Sequence, residues 1–116
     1  MRNFEELTIW QKGHELTLKI YKLTTAFPSS ELYGLISQMR RSSSSIPTNI
    51  AEGCGRKTDP EFKRFLVISS GSCSELHYQM ILSKDLHFIT LDEFTELSNQ
   101  VIQLRKMINS FINKIP

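Results

Sequence analysis

Apolar residues recur along this chain at intervals of three and four, in four separate stretches. The first runs Ile9, Gly13, Leu16, Ile20, Leu23 and Phe27. The second runs Leu32, Ile36, Met39, Ser43, Ile46, Ile50 and Gly53, with small residues at two of its places. The third reads Phe62, Leu66, Ser69, Cys73, Leu76 and Met80, and the fourth Phe94, Leu97, Val101, Leu104, Ile108, Phe111 and Ile115. Such intervals keep one stripe of a helix turned toward a partner, whereas a half-buried strand needs alternation by two. The pattern predicts helices over about 8–27, 30–54, 59–87 and 91–115. Connections this short set neighbouring helices antiparallel. The expected fold is therefore all-α, an up-down-up-down four-helix bundle forming one domain over residues 1–116.

The ends of these segments carry their own chemistry. Thr8-x-x-Gln11, Thr58-x-x-Glu61 and Thr90-x-x-Glu93 each fit a capping box, and Pro60 falls in a first helical turn where its missing N–H costs nothing. Phe27-Pro28-Ser29-Ser30 and Gly53-Cys54-Gly55 break the chain on either side of the second helix. The connection around His87-Phe88-Ile89-Thr90 has neither Gly nor Pro, so only its capping box places it.

The second segment breaks two local rules. Ser42-Ser43-Ser44-Ser45 is a poor helix-forming run, and Pro47 cannot donate to the carbonyl of Ser43. One reading ends the helix near Arg41 and lets a Ser-rich loop follow. The other is a continuous helix kinked at Pro47, favoured because the apolar spacing crosses the break in phase. Small serines would then let a neighbouring backbone come close, with Gly71-Ser72 as the matching face.

Folding segments two and three about the turn sets Arg40 opposite Glu75, with Arg41 beside it, and Glu52 opposite Lys63, with Arg64 adjacent. Arg41, Ser45, Thr48 and Glu52 share a stripe beside the apolar one; Arg64, Ile68, Gly71 and Glu75 do the same on the third helix. These polar residues would lace the hairpin with ion pairs, or form a polar subunit interface or the lining of a central opening. A catalytic pairing of Glu52 with Glu75 is disfavoured. The register separates them by ~17 Å at 1.5 Å per residue, beyond the ~5–9.5 Å of acid/base carboxylate pairs.

Arg40, Arg41, Arg56, Lys57, Lys63 and Arg64 cluster in sequence about the same turn, and the start of the third helix offers amide donors to an anion. They form the candidate contact surface for the phosphates of RNA or DNA. A solvated charged turn is the alternative. No aromatic is interleaved with the basic residues, which argues against a base-stacking platform. Gly53-Cys54-Gly55-Arg56-Lys57-Thr58 lacks the glycines and the preceding strand of a phosphate loop, and His14, His77 and His87 fit neither HExxH nor a zinc spacing. Cys73 occupies a core stripe, as an inert thiol does, and Trp10, His14, Thr17 and Tyr21 form a second stripe on the first helix. No metal, cofactor or active site is expected.

Composition changes little. The 14 basic and 12 acidic residues leave a formal charge of +2, too small to establish a polyanion partner. The longest apolar run, Phe65-Leu66-Val67-Ile68, is far short of the roughly 20 residues a bilayer needs, and the first residues lack the pattern of a secretory signal. Two cysteines far apart on the expected hairpin favour reduced thiols and the cytoplasm.

A set of motifs in order supports a resemblance. These are Trp10-Gln11, Phe27-Pro28, Glu31-x-Tyr33-Gly34-Leu35, Ser37-Gln38-Met39-Arg40-Arg41, Ser45-Ile46-Pro47-x-Asn49-Ile50-Ala51-Glu52-Gly53, Gly55-Arg56, Phe62-x-x-Phe65-Leu66 and Gly71-Ser72-x-x-Glu75-Leu76. The chain resembles, from roughly Phe4 to Ile112, the bacterial four-helix-bundle proteins encoded by intervening sequences of 23S ribosomal RNA genes. It departs from them in Ser42-Ser43-Ser44, where small apolar residues are more usual. The resemblance implies a closed bundle assembling as a homopentameric ring with no enzymatic activity. That family is similar to the accessory protein of diversity-generating retroelements, which binds a reverse transcriptase and nucleic acid. It further implies that Arg40, Arg41, Asn49, Glu52 and Glu75 are structural or interface residues. The expected function is thus a non-enzymatic, ring-forming scaffold that meets nucleic acid or a nucleic-acid-processing partner through its basic turn. A purely protein–protein scaffold is the alternative.

Overall fold

The computed structural model describes residues 2–116. Four α-helices account for most of the chain: α1 (Thr8–Thr24), α2 (Ser37–Cys54), α3 (Asp59–Asp85) and α4 (Leu91–Asn113). No strand occurs among the described residues. Contacts between neighbours run in opposite senses along the chain. Gly13 meets Ile46 and Pro47 while Thr17 meets Ser43; Gly53 meets Phe62 while Ser42 meets Gln79; Phe62 meets Phe111 while Lys84 meets Phe94. The expected antiparallel bundle is what these pairings describe, and the apolar stripes close into one core. Leu16, Ile20, Met39, Ile46, Ile50, Leu66, Leu76, Met80, Leu104 and Ile108 are essentially sealed from water.

α2 is continuous through the serine run and Pro47. The reason lies on α1. Pro47 deprives the Ser43 carbonyl of its helical N–H donor, and the hydroxyl of Thr17 donates to that carbonyl at 2.9 Å. Gly13, one turn earlier on α1, leaves the room that the proline ring needs: a Cβ there would stand 3.3 Å from Ile46 and 3.5 Å from Pro47. The backbone departs from helical geometry elsewhere, at Gly34 (φ −110°, ψ −112°), within a π-helical turn from Leu32 to Ile36. That wider turn shifts the phase. Leu32, expected in the core, is half exposed, and Leu35 is buried in its place.

Serines line the α2–α3 seam and each finds a partner. Ser69 donates to the Ile46 carbonyl at 2.8 Å, Ser42 to Gln79 Oε1 at 2.6 Å, and Ser72 to Ser45 Oγ at 2.9 Å. No buried side-chain nitrogen or oxygen among the described residues lacks a hydrogen bond. The seam is therefore polar without being costly.

The helix ends differ in how well local motifs foresee them. Thr90 and Glu93 form the complete reciprocal box at the start of α4, at 2.9 and 3.0 Å. Thr58 accepts from the Glu61 N–H at 3.3 Å. Thr8 caps nothing. A 3₁₀ turn (Phe4–Glu6) runs directly into α1, Leu7 is the cap residue, and Gln11 donates instead to the Glu5 carbonyl. α1 also stops three residues short of the expected Phe27, because Pro28 disfavours helical geometry just before it.

α3 ends in a Schellman motif: the Phe88 N–H donates to Ser83 and the His87 N–H to Lys84, with His87 in the left-handed region at φ 62°. His87 thus fills a glycine's role, at a cost an L-residue usually bears. His87→Gly is expected to raise stability by about 0.5–1 kcal/mol, the relief of that cost exceeding the added freedom of the unfolded chain. Thermal melts of the two proteins check this, and a lower midpoint for the variant would contradict it.

Candidate nucleic-acid interface

The six basic residues do not form one patch. Arg56, Lys57, Lys63 and Arg64 gather at the end of the bundle where α2 turns into α3. Arg40 is engaged elsewhere: its guanidinium donates to Thr24 Oγ1 at 3.0 Å and to the Tyr21 carbonyl at 3.3 Å, and it lies 4.8 Å over the Tyr21 ring. It ties α2 to α1 and does not face Glu75. Arg41 is exposed and shares a cleft of about 400 Å³ with Gln38, Ser42, Ser45 and Glu75.

The expected hairpin ion pairs are absent among the described residues. Glu52 pairs with Arg56 at 3.3 Å, one helical turn away, and not with Lys63; Lys84–Asp85 is the other ion pair. The register explains the loss of the Arg40–Glu75 match, whereas Glu52 is taken by Arg56 although the register beside it is the expected one. Partners stay close to the expected pairing near the turn, where Ile46 meets Ser69, but α3 runs ahead by the level of Met39, whose sulfur accepts from Ser83. Asn49 turns inward along its own helix, donating to the carbonyl and hydroxyl of Ser45 at 2.8 and 2.9 Å. Of the expected polar network, Arg41 and Glu75 share a cleft, Asn49 joins Ser45 and Ser72, and Glu52 stands apart at the turn. Glu52 sits on Arg56 at the turn and Glu75 lies in the Arg41 cleft, so they do not form a carboxylate pair.

The basic end is organised by aromatic rings that sequence reading had set aside. Arg56 and Arg64 both lie over Phe65, at 4.7 and 5.2 Å from its centroid. Arg2, which no motif singles out, lies 4.4 Å over Phe62. The signal was in the sequence: Phe62 and Phe65 flank Lys63-Arg64, so the expectation that no aromatic is interleaved with the basic residues is overturned, and the turn returns Arg56 to the same end. Phe65 is only 8% exposed. Its face is covered by guanidinium and offers a base nothing to stack on, so the end presents charge to phosphates and no platform to bases. Cation–π contact holds a guanidinium in place without neutralising it. The start of α3 offers an anion little, because Thr58 already takes the Glu61 N–H, Pro60 has none, and Asp59 and Glu61 fill the first turn.

Other candidate chemistry is quiet. Both cysteines are free and buried; burial pushes the Cys73 thiol up to about 12, with the Arg105 charge pulling the other way, and raises Cys54 as well. Such thiols are poor nucleophiles at neutral pH. No group of three or more His, Cys, Asp and Glu among the described residues is placed to hold a metal ion, and no described helix is long and apolar enough to cross a membrane.

The architecture and this surface define a small all-α bundle with a basic end. The chain belongs to the 23S rRNA-intervening sequence protein family, whose model matches residues 5–110. A solved structure with the same fold is a protein of unknown function from the S23 ribosomal protein family of Bacteroides thetaiotaomicron VPI-5482. It is 23% identical, has a TM-score of 0.82, and the match covers 90% of this chain and 98% of that one. No curated protein matches the chain. The family description names no reaction.

Proposed function

We propose that this protein is a non-enzymatic scaffold that assembles into a homo-oligomeric ring, of five copies by family resemblance. In this reading it associates with RNA or DNA, or with a nucleic-acid-processing partner such as a reverse transcriptase, in the cytoplasm. The observation that carries the nucleic-acid part is the guanidinium pair on Phe65, with Arg2 on Phe62 and Lys57 and Lys63 alongside. Among the described residues only Arg56 of these has a carboxylate partner, and that pair is exposed at 42% and 51%. Water and salt weaken such a pair, so a phosphate competes for the arginine at little loss. A ring would gather one basic end per copy on one rim, and multivalency would compensate for the modest +2 of each chain.

Engaging about four phosphates predicts a slope of about −3.6 in log K against log salt, or a ~150-fold loss of affinity between 50 and 200 mM. Mobility shift with RNA and DNA duplexes at the two salt concentrations measures this. Arg56→Ala/Lys57→Ala is expected to flatten the slope by about 2 per copy engaged while leaving the helical spectrum unchanged. The near-balanced charge favours a second reading, a scaffold for protein partners alone. Absence of any retained nucleic acid at 50 mM salt would establish that reading in place of the first.

A further inference from the structure

Among the described residues nine large apolar side chains are exposed, and they are unevenly placed. Leu18 and Tyr21 lie on α1, and Val67, Ile68 and Tyr78 on α3. Leu32, Tyr33, Leu86 and Leu91 lie around the end opposite the basic turn, so the body of α4 carries none. The bundle thus has a solvent side, α4, and a side formed by α1, α2 and α3, on which the exposed apolar residues of α1 and α3 flank an α2 that carries none.

Two different shapes occupy that side. Between α1 and α2 is a groove of about 360 Å³, lined by Trp10, His14, Thr17, Pro47, Thr48 and Ala51. The indole and imidazole stack in parallel, 5.1 Å apart, and form one wall. On α3 the surface is a ridge: Val67 is 57% and Ile68 43% exposed. Beside them Gly71 has nothing within 4 Å of where a Cβ would stand.

The ridge and the groove lie at the same height along the bundle. Gly13 packs on Ile46 and Pro47, and Ser69 donates to the Ile46 carbonyl, so His14, Pro47 and Ile68 share one level. Charges are matched by level as well. Gly53 abuts Phe62 and Phe65, which sets Glu52 level with Arg64. Ser72 bonds Ser45 and Gln79 bonds Ser42, which sets Glu75 between those levels, within reach of Arg41. Neither Arg41, Glu75 nor Arg64 has an ion-pair partner within its own chain among the described residues.

We infer that the Val67–Ile68–Gly71 ridge of one copy seats in the Trp10–His14–Thr48 groove of the next. This rests on the ring reading above and names the surfaces that close it. A ridge entering a groove is a heterologous contact, the kind that generates rings. Rotation about an axis parallel to the bundle moves every residue at constant height, so mating surfaces must be level, and these are. The same docking brings Glu75 of one copy to Arg41 of its neighbour, two charges left single in the isolated chain, and sets Arg64 level with the neighbour's exposed Glu52–Arg56 pair.

Two substitutions at exposed positions, Gly71→Arg on the ridge and Thr48→Trp in the groove, test the assignment by light scattering, with circular dichroism to confirm that each variant folds. The wild-type protein is expected as an oligomer and each variant alone as a monomer. An equimolar mixture is expected to give a two-copy species, because the groove of Gly71→Arg is intact and so is the ridge of Thr48→Trp. A Thr48→Trp protein that keeps the wild-type mass, or a mixture that stays monomeric, overturns the assignment of surfaces while leaving the ring standing. A monomeric wild-type protein removes the ring, and the assignment with it.

Discussion

Phe65→Ala is expected to destabilise the protein by about 3–5 kcal/mol, the usual cost of deleting a buried aromatic side chain. The ring is buried against the α2–α3 turn, and its Cβ packs on Gly53. At this chain length each kcal/mol lowers the thermal midpoint by about 4 °C, so a drop on the order of 12–20 °C should be seen in a melt. Phe65→Leu separates packing from charge placement. It keeps most of the apolar volume and is expected to cost under about 1.5 kcal/mol. It also removes the π face that holds Arg56 and Arg64 at 4.7 and 5.2 Å. If those guanidiniums are placed by the ring, Phe65→Leu weakens duplex binding severalfold at unchanged salt slope, since the charges remain and only their order is lost. Unaltered affinity in the leucine variant would show that the stacking has no part in binding.

The second large effect concerns Thr17. Thr17→Val preserves shape and removes the hydroxyl whose single hydrogen is shared between the Gly13 carbonyl at 2.8 Å and the Ser43 carbonyl at 2.9 Å. The Ser43 carbonyl is then buried with no donor in place of the missing proline N–H. Leaving a buried acceptor unpaired costs about 1–3 kcal/mol. Pro47→Ala supplies the N–H that the helix lacks, so the same Thr17→Val change made in that background should cost less by about 1 kcal/mol or more. Urea denaturation of the four proteins in the cycle measures this coupling. Equal losses in both backgrounds would mean that Thr17 does not compensate the proline.

The same pair of residues shows why parts of the structure are visible in the sequence and others are not. Apolar spacing is a property of neighbours three and four apart, so Ile46 and Ile50 announce their burial without knowledge of α1. Pro47 announces only a broken bond; its repair, from Thr17 to the Ser43 carbonyl, joins residues 26 apart. The expectation that α2 continues past Pro47 rested on phase, and phase was sufficient there. It misled at Leu32, because a π-helical turn adds residues that a fixed period does not count. At helix ends the Thr90–Glu93 box is local and was readable. The Thr8–Gln11 pattern was equally local and was overruled when an upstream turn supplied Leu7 as the cap.

The candidate site was less legible. Six basic residues close in sequence suggested one surface, and packing divided them. Arg40 is drawn to Tyr21 and Thr24 by the α1–α2 contact, while Arg2 enters from the other end of the chain to join Phe62. Long charged side chains reach several ångströms in any direction, so spacing along a helix leaves their partners open. Glu52 chose Arg56 on its own turn over Lys63 on the next helix.

By itself the sequence determined four helices, their antiparallel order and nearly all of the core, because burial of an amphipathic stripe is the dominant favourable term and its period is written locally. Only the tertiary structure decided which polar groups meet: how Ser43 is satisfied, where Arg40 and Glu52 turn, and which ring carries Arg56 and Arg64. Hydrogen bonds and charge contacts depend on ångström-scale geometry between distant segments, and that geometry exists only once the core has packed.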